Sequence, residues 1–133
     1  MTTHELVQAA VEFDFRYDPT MTDYQYKEFI LKHIPKGWVT IFTDAWDEIN
    51  KTAKIGRVYY HLGVLKFELR DKKDKTNRIV RWLIKGVAQE STITCLLSGE
   101  RGIRRKGFRG WPPLVERHFV EYANEVSDQG IVL

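Results

Sequence analysis

A single cysteine, Cys95, stands in a chain of 133 residues. No disulfide can close within one copy, so a reducing cytoplasm is the expected setting. Long apolar runs are also missing. The best stretch, Ile79 to Val87, is interrupted by Arg81 and Lys85 and falls well short of the roughly twenty residues that cross a bilayer. The first residues carry His4, Glu5, Glu12 and Asp14 where a secretion signal would be basic and then apolar. No Walker-type loop, dinucleotide fingerprint, HExxH pair or GxSxG elbow occurs, which removes the usual sequence grounds for nucleotide, zinc-hydrolase or serine-hydrolase chemistry.

What is present suits one soluble domain. The hydrophobic share is 43% and the charged share 29%, and a chain of this length buries roughly two-thirds of its unfolded surface. Seven Phe, six Tyr and four Trp supply much of the core. The net charge of +3 hides an asymmetry: residues 1–50 hold nine acids against four bases, and residues 51–133 hold seventeen bases against nine acids. Such a dipole orients a partner or a second copy of the chain. A pI near 9.0 is compatible with nucleic-acid binding without establishing it.

Taken in order, residues 4–12 allow a short helix, while Val11, Phe13, Phe15 and Tyr17 alternate with polar residues as a strand over 11–17 would. Thr22 caps a helix to about His33, with Tyr26, Phe29, Ile30 and His33 at helical spacing, and Pro35-Lys36-Gly37 stops it. Trp38, Ile41, Phe42, Ala45, Trp46 and Ile49 then mark one buried face of a second helix. Residues 55–70 read as two strands about a tight turn or bulge at Leu62-Gly63. Asn77 caps a helix to about Glu90 that buries Ile79, Val80, Leu83, Ile84 and Val87, and Trp82 is also assigned to the core. A strand over 92–97 and a glycine-rich basic hairpin over 99–110 follow. A last helix opens at Pro112 or Pro113 and buries Leu114, Phe119 and Tyr122. Residues after about Glu125 form a tail, within which Ile131-Val132-Leu133 suits an edge strand. The expected fold is one α+β domain over 1–133, with antiparallel hairpins packed on three to four helices.

The order of Gly37-Trp38, an amphipathic helix, Leu62-Gly63-Val64-Leu65-Lys66-Phe67, a helix ending Ala88-Gln89-Glu90-Ser91, and then Thr94-Cys95 resembles a family of small uncharacterised bacterial and phage proteins. The resemblance covers about residues 37–122. It implies that residues 92–122 form a zinc finger of the treble-clef kind, with a T-C-x-x-C-G knuckle and a T-x-C-x-x-[C/H] helix start. Here Ser98 and Val115 fall on two ligand positions, so only Cys95 and His118 remain. Structural zinc wants four Cys or His ligands. The expectation is a degenerate finger with no metal and no cofactor, held by Leu96, Leu97, Ile103, Trp111, Leu114 and Val115 in place of the ion.

Arg101, Arg104, Arg105, Lys106 and Arg109 lie within nine residues among Gly99, Gly102, Gly107 and Gly110, beside Phe108 and Trp111. Guanidinium forks suit phosphate and carboxylate, and aromatic rings stack on bases or on arginine. Lys72, Lys73, Lys75, Arg78 and Arg81 extend the positive surface if both segments fold onto one face. Against this, the same arginines can simply pair with acids of the N-terminal third. Cys95 with His118 suggests a nucleophile and base, and Asp44, Asp47 and Glu48 share one helix face. In both cases a buried thiol and a solvated acidic face are the more economical readings. Tyr59, Tyr60 and His61 suit a pocket wall or ordinary strand packing.

The leading expectation is a non-enzymatic binding protein of phage or mobile-element type, working in the host cytoplasm. Its hairpin would contact an anionic macromolecule, either nucleic acid or an acidic protein surface. A protein–protein module or homodimer organised by the charge asymmetry is the second reading. A small enzyme built on Cys95 and His118 is the third.

Overall fold

The computed structural model describes residues 2–71, 73–74 and 77–128. It is a mixed α+β domain with five α-helices, a three-stranded antiparallel sheet and a two-stranded one. Lys72, Lys75 and the segment 131–133 lie outside the described residues.

Helix α1 (Thr3–Ala10) is capped by Thr2, whose side chain accepts the Glu5 N–H. The alternation at 11–17 yields a strand of only three residues, β1 (Asp14–Arg16), because Val11 closes α1 instead of opening the strand. Phe13 and Phe15 still point inward while Asp14 and Arg16 are exposed. Thr22 and Gln25 form a reciprocal capping box at the start of α2 (Asp23–His33), which satisfies two main-chain donors that would otherwise lack partners. Tyr26 and Ile30 of that helix are buried, whereas Phe29 and His33 are exposed. A 3-10 turn, Lys36–Trp38, leads into α3 (Val39–Asn50). Trp38, Ile41, Phe42, Trp46 and Ile49 are buried as their spacing requires.

Strands β2 (Ile55–His61) and β3 (Val64–Leu69) are joined by Leu62-Gly63 alone, both with positive φ (48° and 86°). Two left-handed residues match the twist of a tight hairpin, which is why glycine sits second. The irregularity in register lies at Ile55/Arg57, not at this turn. The sheet order β1-β2-β3 places Phe15 opposite Val58 and Val58 opposite Phe67. Its inner face meets α2 and α3 through rings. Phe42 stacks on Phe67 at 6.0 Å, Trp38 stacks on Tyr60 at 5.5 Å, and Phe29 of α2 meets Phe15 edge-on at 6.0 Å, while Tyr26 and Trp46 join α2 to α3 edge-on at 5.7 Å. The buried Tyr26 hydroxyl donates to the Phe15 carbonyl at 3.0 Å.

Asn77 caps α4 (Arg78–Ser91) by accepting from Ile79 and Val80. The helix packs on α3 and β3, and the Leu65 N–H donates to Ser91 Oγ at 2.9 Å. Two expectations fail on this helix. Val80 and Val87 are buried, but Ile79 is 69% exposed and Trp82 72% exposed. The arc through Val80, Leu83, Ile84, Val87 and Ser91 faces the interior, with Leu83 and Ile84 partly buried, and a residue at position 82 points about 160° away from Val80.

The segment 92–97 is not a strand. It makes one isolated bridge, Thr94 to Arg101, and then turns tightly. The hairpin beyond it is β4 (Ile103–Arg104) paired with β5 (Pro113–Leu114). The last helix, α5 (Glu116–Asp128), therefore starts after the prolines and not on them. Pro113 occupies a strand position whose carbonyl accepts the Leu96 N–H at 3.1 Å, and its missing N–H costs nothing on that side. Helix α5 lies against α1. The His4 N–H donates to Glu125 Oε2 at 2.6 Å, and Gln8 donates to the Tyr122 hydroxyl at 3.0 Å.

Candidate functional site

The turn at Cys95 is held by main-chain bonds. The Cys95 N–H donates to the Glu100 carbonyl at 2.7 Å, and the Gly99 N–H donates back to the Cys95 carbonyl at 2.8 Å. The Gly37 N–H reaches the Leu96 carbonyl at 2.9 Å, and Trp38 Nε1 donates to the Thr94 carbonyl at 2.9 Å. The Gly-Trp pair at the head of α3 is therefore bolted to this knuckle.

Leu96 and Leu114 are buried beneath the knuckle, and Leu97 and Val115 are partly buried. Ile103 does not join them: it is 64% exposed on the outer side of β4. Cys95 is fully buried, so its thiol offers no approach to a substrate. His118 is partly exposed, with Nδ1 3.4 Å from Glu121 Oε2. Among the described residues, no group of three His, Cys, Asp or Glu side chains is arranged to hold a metal ion.

The hairpin cations divide into two sets. Arg105 turns inward, with its side chain only 15% exposed. Its Nη2 donates to the Leu114 carbonyl at 3.2 Å, its guanidinium lies 4.3 Å from the Phe119 ring centre, and its buried Nε has no partner among the described atoms. Phe108 also faces inward, edge-on to Phe119 at 5.2 Å and beside Tyr122 at 5.5 Å. Arg109 pairs with Glu12, an acid of the N-terminal third. The other three cations remain outward. Arg104 and Lys106 bracket the Trp111 ring at 5.4 and 5.7 Å, and exposed Arg101 makes no ion pair among the described residues.

Trp111 itself is held at φ 50°, a left-handed conformation that is costly for a bulky residue and clusters at functional positions. Arg104 Nη1 donates to the Leu62 carbonyl at 3.3 Å. A Cβ on Gly63 would stand 2.5 Å from the Trp111 carbonyl. The basic hairpin thus rests directly on the β2–β3 turn.

Of the second basic set, Lys73 follows Asp71, which accepts its N–H at 3.0 Å. Arg78 and Arg81 lie on α4 and line a groove of roughly 500 Å³ with Lys66, Lys85, Ile84, Ala88 and Trp82. Lys66, Lys85 and the exposed Trp82 were not legible as site residues. Lys85 follows Arg81 by one helical turn, which was the available signal. Lys66 stands on β3, three residues beyond Gly63 and so about 10 Å along an extended strand.

The remaining candidates are accounted for by ordinary contacts. Asp47 pairs with Lys27 at 2.9 Å and Glu48 with Lys51 at 2.9 Å, while Asp44 is exposed beside Glu48. Tyr60 is buried and its hydroxyl donates to the Gly110 carbonyl at 2.6 Å; burial pushes its pKa up. Tyr59 carries the Arg57 guanidinium on its face at 3.7 Å, and His61 is exposed. Several carboxylates are held below their usual range, among them Asp14 by hydrogen bonds from Arg57 and Glu100 by those from Arg117.

Comparison with family models, with curated proteins and with solved structures finds no match to this chain.

Proposed function

We propose that this is a non-enzymatic binding protein that grips an anionic macromolecule with the outer edge of its basic hairpin. The observation that carries the reading is the cluster of Arg104, Lys106 and the strained Trp111, with Arg101 on the same hairpin. Two cations within 6 Å of one ring give an aromatic platform flanked by positive charge, the combination that suits a phosphate backbone with bases available for stacking. Arg105 and Phe108 support the hairpin from within, and Arg109, exposed but paired with Glu12, lies with them outside the binding edge.

Kinship with the small bacterial and phage family belongs to the same reading. The contact of Gly37-Trp38 with the Cys95 knuckle gives a physical reason for those two motifs to travel together, and the succession of knuckle, hairpin and helix is the order a treble clef requires. In this reading Leu96 and Leu114 do the work of an absent zinc ion, and an accessory role in a host cytoplasm follows.

A pull-down from bacterial lysate with and without nuclease separates the two anionic classes. Recovery abolished by nuclease identifies nucleic acid. Recovery that survives nuclease but falls with Arg101→Glu and Lys106→Glu identifies an acidic protein surface. Recovery unaffected by both treatments refutes the reading.

A further inference from the structure

Helix α4 carries a feature independent of the hairpin. Trp82 and Ile79 are 72% and 69% exposed, and Trp82 forms the ridge between two grooves of opposite charge. On the β3 side lie Lys66, Arg78, Arg81 and Lys85, in a groove of roughly 500 Å³. On the α3 side, a groove of roughly 270 Å³ is lined by Asp44, Glu48 and Glu90 over an apolar floor of Ile41, Leu83 and Val87. Among the described residues the four cations have no carboxylate partner, and of the three acids only Glu48 has a cation, the exposed Lys51. Large apolar side chains standing between unneutralised charges of both signs leave the face complementary to itself.

We propose that α4 is the contact face of a homodimer in which the two α4 helices run parallel, ridge to ridge, with each basic groove over the partner's acidic one. The direction follows from symmetry. A two-fold axis lying along α4 exchanges left and right, so the Lys66–Arg81 side of one copy faces the Asp44–Glu48 side of the other. A two-fold axis running across α4 makes the helices antiparallel and sets like charge over like, which is repulsive. Trp82 and Ile79 then meet near the axis, where an aromatic anchor removed from water contributes most. A strip along a 14-residue helix, about 21 Å long and about 10 Å wide, covers on the order of 200 Å², short of the roughly 800 Å² per partner of a standard stable interface. The dimer is accordingly weak, dependent on concentration, and loosened by salt.

Sedimentation of the full chain over a concentration series, at low and high salt, provides the test. Self-association at low salt is expected to weaken at high salt and to fall at least about tenfold in Trp82→Ala, with the circular dichroism of the monomer unchanged. Converting one groove in each of two variants, Asp44→Lys with Glu48→Lys and Lys66→Glu with Arg81→Glu, should abolish self-association of each alone and restore a heterodimer on mixing. Direction is read by oxidising Arg78→Cys and Gln89→Cys, with the native Cys95 fully buried. Parallel helices cross-link each variant to itself. Cross-links that form only between the two variants show antiparallel helices and overturn the proposal. So does a strict monomer at every concentration and salt, including one whose Trp82 emission is quenched by an added oligonucleotide.

Discussion

A Cβ atom on Gly37 would lie 2.0 Å from the carbonyl oxygen of Cys95 and 2.7 Å from the Gly99 nitrogen. Main chain touches main chain across this contact, so no side-chain adjustment can relieve a substitution. Gly37→Ala is expected to cost about 3 kcal/mol or more, or to prevent folding altogether. Chemical denaturation measures it. A variant with wild-type stability would show that the 3-10 turn and the knuckle do not meet.

Asp23 contributes to the acid limb of the stability curve. Burial raises its pKa, but hydrogen bonds from Arg70 and Lys54 outweigh that and hold it below the usual value of 3.8. Arg70 also lies 3.6 Å from the Tyr17 ring centre, so the carboxylate fixes a guanidinium that packs on the core. A group whose pKa is lower folded than unfolded contributes its stability above the unfolded value and loses it as pH falls through the folded one. The urea midpoint should therefore hold steady down to about pH 5 and fall below about pH 4. Asp23→Asn should lower the plateau and flatten the fall. An unchanged acid limb in that variant would contradict the assignment.

Gly86 lies inside α4, and a Cβ there meets nothing within 4 Å. Glycine in a helix interior is about 0.8–1.0 kcal/mol less favourable than alanine. Gly86→Ala should raise monomer stability by roughly that amount in urea denaturation at low protein concentration. A loss of stability would mean that the groove beside Trp82 is tighter than the described contacts show.

Where sequence and structure diverge, particular residues explain why. The helix of Trp38, Phe42, Trp46 and Ile49 and the Leu62-Gly63 hairpin were legible because spacing and turn chemistry agree there with the tertiary packing. The segment Ile93 to Leu97 has strand-forming side chains, yet Ile93 and Thr94 donate back to the end of α4, and Cys95 and Leu96 bond to Gly37, Gly99, Glu100 and Pro113, so a knuckle wins over an extended strand. Pro112-Pro113 suits a helix start and a strand edge equally, and pairing with Ile103-Arg104 together with the Leu96 bond to Pro113 decides. The apolar stripe on α4 is wider than the interior can cover, which leaves Ile79 and Trp82 outside. Five basic residues of the hairpin look equivalent in sequence, but Arg105 folds back on Leu114 and Phe119 just beyond it, while Arg109 and Arg104 meet Glu12 and Leu62 far away along the chain.

The binding edge is most directly tested by titrating a labelled single-stranded oligonucleotide, and in parallel an acidic peptide, against three forms of the protein between about 50 and 200 mM salt. The forms are wild type, Arg101→Glu with Lys106→Glu, and Arg105→Ala. At least one of the two probes should bind the wild type with an affinity that falls steeply with salt, and the double variant should lose most of that affinity and of the salt slope. Arg105→Ala should lower stability while leaving affinity near wild type. Salt-independent binding, no binding of either probe, or a double variant that binds as well as wild type would contradict the account.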